Sequence, residues 1–202
     1  MVAIFFFTWL MARIVWPYRT GRLDIDFLLS KQHIIYSLHY RFAFYLHIFP
    51  ALLVLSAGLT QFSDRILRYR PIVHRLVGSV YTHSILWICG PAGFLMAWYS
   101  NGGWIARSSF LTLSVGWWAF TWLAWRAIKN GQRNKHRDWM IRSYALTLSA
   151  VSLRLMQFVL ATNTQLDVDI AYQIVAWPSW VINLLVAECI LFYKKTNGTT
   201  QP

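Results

Sequence analysis

Residues 42–62, FAFYLHIFPALLVLSAGLTQF, contain no Asp, Glu, Lys or Arg, and this stretch decides the fold. A helix rises about 1.5 Å per residue, so roughly 20 residues cross a hydrocarbon core of about 30 Å. Working outward, comparable apolar segments lie near residues 2–16, 75–98, 108–125, 139–161 and 170–192. The expectation is an all-α integral membrane protein, a six-helix transmembrane bundle whose first span is marginal and whose fourth is short.

Hydrophobic residues make up 57% of the 202-residue chain and charged ones 13%, about half the charged share of a soluble domain. No stretch between spans is long enough for a water-soluble domain, so residues 1–202 read as a single membrane domain. The net charge of +12 would suggest nucleic acid in a soluble protein, but the charges sit between spans. Arg65, Arg68, Arg70 and Arg75 flank one connection; Arg126, Lys129, Arg133, Lys135, Arg137 and Arg142 flank another; Lys194 and Lys195 lie in the tail. Cytoplasmic loops retain Lys and Arg, which puts these stretches and the C-terminus in the cytoplasm and predicts a multi-pass inner-membrane protein that does not bind nucleic acid. Its first partner is the lipid bilayer, whose anionic headgroups such loops attract.

One conflict stands. With six spans, residues 17–41 are external, yet they carry Arg19, Arg22, Lys31 and Arg41. Either Arg13 snorkels from the first span, or residues 1–16 lie along the membrane and five spans remain; six is favoured. Residues 26–41 mix apolar and polar positions and read as an external interfacial helix. The N-terminus lacks the basic start and small-residue cleavage site of a signal peptide. Cys89 and Cys189 sit within spans at about 20 Å and 5 Å from the cytoplasmic ends, too far apart to pair. Asn197-Gly-Thr199 matches a glycosylation sequon that a cytoplasmic tail would never use. Trp16, Trp98, Trp104, Trp125, Trp139 and Trp177 mark span ends and read first as interface anchors.

Ionisable groups inside a membrane are expensive, at about 3 kcal/mol each on insertion scales, and those that persist face partners. Glu188 is the sole acid within a span. Trp177, Trp180, Leu184 and Glu188 follow three- and four-residue steps on one helix face. His74, Arg75, Tyr81, His136, Asp138 and Arg142 lie toward the same cytoplasmic end, so a polar cluster is expected there, with Arg142 or Arg75 as partner to Glu188. Toward the external side, Arg154 and Gln157 share a face and His47 enters the second span nearby. Arg154 could pair with Asp167 or Asp169 or bind an anion such as a lipid phosphate or haem propionate.

Six His in a small helical membrane protein raise the question of bis-His haem b, while the cofactor otherwise stays unknown. His47 and His83 lie about 9 Å and 17 Å from the external side, a poor depth match. His74 and His136 match at the cytoplasmic edge, beside Arg75 and Arg137, but near loop ends where a solvated role is commoner. A lone mid-span His83 is more often a hydrogen-bonded interior group than a ligand. Zinc would need closely spaced ligands that the chain does not offer, so no metal site is expected.

Three blocks carry a family likeness. His74-Arg75-Leu76-Val77-Gly78-Ser79-Val80-Tyr81 resembles an HR-x-x-G-x-x-Y signature. His136 through Leu146 is similar to an H-x-x-WM-x-RSYAL block that continues to Leu153-Arg154. Trp177, Trp180, Asn183, Leu184 and Glu188 resemble a last-helix W-x-x-W-x-x-N-L-x-x-x-E pattern. With His47 and Gln61-Phe62, these resemble the bacterial polytopic membrane family catalogued as domain of unknown function 2306, over about residues 42–192. The resemblance implies a membrane architecture and marks a residue set; it implies no reaction. His74, Gly78 and Tyr81 share a helix face, and Gly78 lets a neighbouring helix approach.

The leading expectation for function is therefore a non-enzymatic accessory or binding protein, docked in a larger membrane assembly or holding a lipid or quinone. The alternatives are a b-haem or quinone-linked electron-transfer protein, and a proton-linked carrier built around Glu188, with Gly90-Pro91 as a helix break.

Overall fold

A computed structural model describes residues 2–197, and among them every regular element is helical. The sequon at Asn197-Gly-Thr199 runs outside the described residues. The helices are α1 (Val2–Val15), α2 (Leu38–Gln61), α3 (Asp64–Tyr69), α4 (Pro71–Trp98), α5 (Gly103–Lys129), α6 (Arg133–Asn163) and α7 (Val168–Asn197). Four of them, α2, α4, α6 and α7, are both long enough and apolar enough to cross a membrane. The 14-residue α1 is too short for that measure. With 27 residues α5 is long enough, but Trp117, Trp118, Trp122 and Trp125, together with its Ser and Thr, dilute its apolar character.

The chain forms two compact units, one running to Asn101 and one starting at Gly102. In the first, α2 packs against α1 and α4. Pro71 occupies the first turn of α4, where its missing N–H costs nothing. The helix therefore begins earlier than residue 75, where the charge pattern placed its span. Ser63 caps α3 by accepting from the Ile66 N–H at 3.3 Å, which makes the turn between α2 and α4 tight. Gly78 lets α2 come close: a Cβ there would lie 2.9 Å from Gln61 Oε1. The Gln61 amide donates to the His74 carbonyl at 3.0 Å.

Within α4, residues Ile85–Cys89 widen into a π turn, with the Gly90 N–H bonded to the Ile85 carbonyl. Pro91 explains it. A proline ring crowds the carbonyl four residues back and donates nothing, and a five-residue loop relieves both problems.

Residues 26–41 do not form one interfacial helix. A 3₁₀ turn covers Asp26–Lys31, Ser37 is extended at ψ 127°, and Leu38 already begins α2. The segment folds inward because it has a core of its own. Tyr18, Leu28, Ile35, Tyr40 and Phe44 are buried together, with Met96 and Tyr99 from the end of α4 packed against them. At the exposed edge of this segment, hydrogen bonds from Arg22 hold the Asp24 carboxyl below its ordinary range.

The second unit packs α5 against α6 and both against α7. Polar bonds join these helices along their length. Trp117 Nε1 donates to Thr147 Oγ1 at 3.0 Å, the Thr121 and Ser143 hydroxyls lie 2.7 Å apart, and Trp180 Nε1 donates to Ser109 Oγ at 2.9 Å. Ser152 donates to Asn183 Oδ1 at 3.0 Å. Hydrocarbon offers such groups no water, so pairing across helices is their best outcome, worth about 0.6 kcal/mol each on average. Gly102 starts the unit at φ +87°, its N–H donating to Asp169 Oδ1 at 2.9 Å.

A side chain at Gly102 would meet Tyr172 Cβ at 2.8 Å and the Asp169 carbonyl at 3.1 Å. Gly102→Ala should lower stability by about 3 kcal/mol, from left-handed strain plus overpacking. Gly131→Ala, at φ +73° in open space, should cost about 1 kcal/mol from strain alone. Thermal unfolding in detergent measures both, and equal losses would refute the close-packing account.

Candidate functional site

The charged centre of the second unit is built on α6 and α7. Arg142 Nε donates to Glu188 Oε1 at 2.5 Å and its Nη2 to Oε2 at 2.8 Å, a bidentate fork. Three residues earlier on α6, Trp139 lies under the guanidinium, 4.8 Å from ring centroid to Cζ. Phe120 of α5 backs that indole at 5.4 Å. The two partners differ in access: the Arg142 side chain is 17% exposed and that of Glu188 47%. Glu188 flanks the buried stripe of α7, formed by Ser179, Trp180, Ala187 and Leu191, so its carboxylate stays reachable while the cation beneath it is held.

Of the other residues expected at this end, His136 and Asp138 make contacts of their own. His136 Nδ1 donates to the Ala124 carbonyl at 2.9 Å, tying the start of α6 to α5. Asp138 lies 3.8 Å from Arg137. In the first unit, His74 is half-buried with its carbonyl taken by Gln61, Arg75 is exposed, and Tyr81 is buried in α4. Toward the far end of α6, Arg154 donates to Gln157 Oε1 at 3.0 Å, the same-face contact their spacing predicts.

His47 Nδ1 lies 3.0 Å from the Cys89 carbonyl, and His83 Nδ1 lies 2.8 Å from the Ser79 carbonyl. A carbonyl only accepts, so His47, His83 and His136 all carry a proton on Nδ1. In the neutral ring Nε2 is then the basic nitrogen, which is how ligand histidines are usually held. The geometry does not set His47 and His83 face to face, however. His83 sits on the exposed side of α4 with Val80 and Trp87, opposite buried Tyr81 and Ile85. Among the described residues no three His, Cys, Asp or Glu gather as a metal site.

The sequence reading missed Lys31. Its side chain is buried, with Nζ donating to the Tyr99 carbonyl at 2.5 Å and also to Asn101 Oδ1. Asn101 donates in turn to Ser30 Oγ at 2.9 Å. Tyr99 follows the last turn of α4, so the ammonium caps a helix C-terminus, where carbonyls lack intrahelical donors. No spacing rule connects residues 31 and 99. The Ser and Thr of the second unit were more readable, since Trp117 and Thr121 on one helix, and Ser143 and Thr147 on the next, each stand four apart.

Residues 44–191 match the family described as predicted membrane protein (DUF2306). The chain belongs to that family. Its three blocks fall on α4, α6 and α7, so the family's span includes the Arg142–Glu188 fork but leaves out α1 and the whole of residues 26–41 around Lys31. No curated protein and no solved structure matched the chain.

Two sets of variants test these contacts. Arg142→Ala, Glu188→Ala and the double change should show a coupling of about 1 kcal/mol in thermal unfolding, the upper end for a partly exposed pair; additive losses would mean the fork contributes nothing. Lys31→Met should cost about 2 kcal/mol by leaving buried carbonyl acceptors unserved. It should also speed hydrogen exchange across residues 26–37, and unchanged exchange would remove the capping role.

Proposed function

We propose that this chain is a small non-enzymatic accessory or binding subunit of the bacterial inner membrane. It crosses the bilayer six times as one membrane domain over residues 1–202, with its C-terminus in the cytoplasm. The six crossings are α1, α2, α4, α5, α6 and α7. The basic stretches between α2 and α4, between α5 and α6, and after α7 then fall on one side, as cytoplasmic retention of Lys and Arg requires. The working surface is the Arg142–Glu188 fork with His136 and Asp138 in the second unit, and His74, Arg75 and Tyr81 are the cytoplasmic-side polar residues of the first. Its partner is a larger membrane assembly or a held lipid or quinone.

The supporting observation is the Arg142–Glu188 fork. A bidentate pair over an indole, with the carboxylate 47% exposed and the guanidinium only 17%, is fixed in geometry yet accessible at one member. That asymmetry suits recognition, because the held guanidinium fixes the carboxylate in place while leaving it open to a partner's donor. Purification in mild detergent followed by native electrophoresis and mass spectrometry should find the protein in a species heavier than itself. Glu188→Ala should release it from that species, and Arg142→Glu combined with Glu188→Arg, which keeps an ion pair but presents a cation in place of the exposed carboxylate, should not restore the association. Migration at the chain's own mass, unaffected by Glu188→Ala, would sink the accessory reading.

A second reading, b-haem electron transfer, draws support from the Nδ1–carbonyl bonds of His47, His83 and His136, which leave Nε2 as the basic nitrogen. The residues fit an axial ligand singly. They do not supply a facing pair within the first unit, where His83 lies on the exposed side of α4. If haem binds, it supplies one-electron chemistry, and the chain's part is to hold Nε2 of His47 or His136 in place through the second ring nitrogen, with His74 as the other candidate. A Soret band in the purified protein that is lost in His47→Ala or His136→Ala would carry this reading, and a featureless visible spectrum would end it.

A further inference from the structure

We propose that the outward stripe of α5 binds the phosphodiester headgroup and upper acyl chain of an anionic phospholipid. The stripe is Val115, Trp118, Trp122, Trp125, Arg126 and Lys129, whose three- and four-residue steps put them on one side of the helix. The opposite side holds Trp117, Thr121 and Ala124, all buried and turned to α6 or to the unit's interior. Val115 is 55% and Trp118 39% exposed, and Arg126 and Lys129 are exposed as well.

The side chains along the stripe are ordered in sequence. Trp118 and Trp122 stack at 6.5 Å and 6° between planes. The Arg126 guanidinium lies 5.3 Å from the Trp122 ring centroid, and the Lys129 ammonium 5.8 Å from that of Trp125. An apolar aromatic track thus leads directly into two cations at the end of the helix. A lipid needs both parts in that order, since its chains seek the indoles and its phosphate seeks the cations. Stacking also restrains the long cationic side chains while leaving their outer N–H groups to donate.

Charge selects the ligand. From Arg126 to Arg137 the chain carries Lys129, Arg133 and Lys135 and no acid, so the site complements an anion over a zwitterion. Arg126 and Lys129 also favour the C-terminal dipole of α5, but that effect stabilises the helix without distinguishing one lipid from another. Lipid selectivity is therefore the informative readout.

The full-length protein, in mild detergent with equimolar phosphatidylglycerol and phosphatidylcholine of matched chains, should retain phosphatidylglycerol preferentially in native mass spectrometry. Arg126→Gln with Lys129→Gln should lower that preference about fivefold per cation. Arg126→Lys with Lys129→Arg should keep most of it, and Lys194→Gln with Lys195→Gln should leave it unchanged. Should the double glutamine chain fail to assemble, Trp122→Leu keeps both charges and should lower the preference about threefold by removing the stack. Equal retention of the two lipids by the unaltered chain overturns the proposal, as does full preference in either the glutamine pair or Trp122→Leu. Displacement of the lipid by inorganic phosphate or an acidic peptide at matched concentration also overturns it, since the acyl track would then contribute nothing.

Discussion

A hydrogen-bonding group inside hydrocarbon has no water to fall back on, and the second unit is organised by that fact. Its three long helices carry Ser109, Thr121, Ser143, Thr147, Ser152 and Asn183 where a soluble bundle would place Leu or Val. Trp117, Trp180 and neighbouring hydroxyls meet them across the gaps. Small side chains let the backbones approach, and the approach brings the hydroxyls within reach. Apolar packing alone distinguishes poorly between a helix neighbour and a lipid tail, so the polar contacts are what fix which helix faces which.

The first unit meets the same constraint at its irregular points. Pro91 disturbs α4, the π turn absorbs the disturbance, and His47 supplies a donor to the Cys89 carbonyl where the helix is widened. The Gln61 amide reaches the His74 carbonyl beside a glycine that makes room for it. In both places a polar side chain from α2 serves backbone carbonyls of α4. His47 and Gln61 thus have structural duties whatever else they do.

Long apolar runs made the long helices legible, because a span must be apolar for a fixed length whatever its neighbours are. Their ends were less legible: Pro71 begins α4 four residues before the charge pattern suggested, and α5 continues past its apolar stretch in both directions. The sequence offered Glu188 two cations, Arg142 and Arg75, and carried no distance by which to choose; the structure supplies the fork with Arg142. Residues 26–41 were misread as one surface helix because their mixture of apolar and polar residues fits an amphipathic pattern. What breaks that helix is tertiary. Leu28 and Ile35 have a core to enter, and Lys31 has carbonyl and amide oxygens to meet, and neither is visible from local spacing.

Lys31 finds those oxygens 68 and 70 positions further along the chain. A ribosome making this protein adds the lysine well before either oxygen exists, with α2 and α4 still to be made. Until Tyr99 and Asn101 are made, the ammonium lacks both of its acceptors. Closure of that corner therefore has to follow the synthesis of Asn101, halfway along the 202-residue chain, and a chain halted before it would leave its own beginning undone.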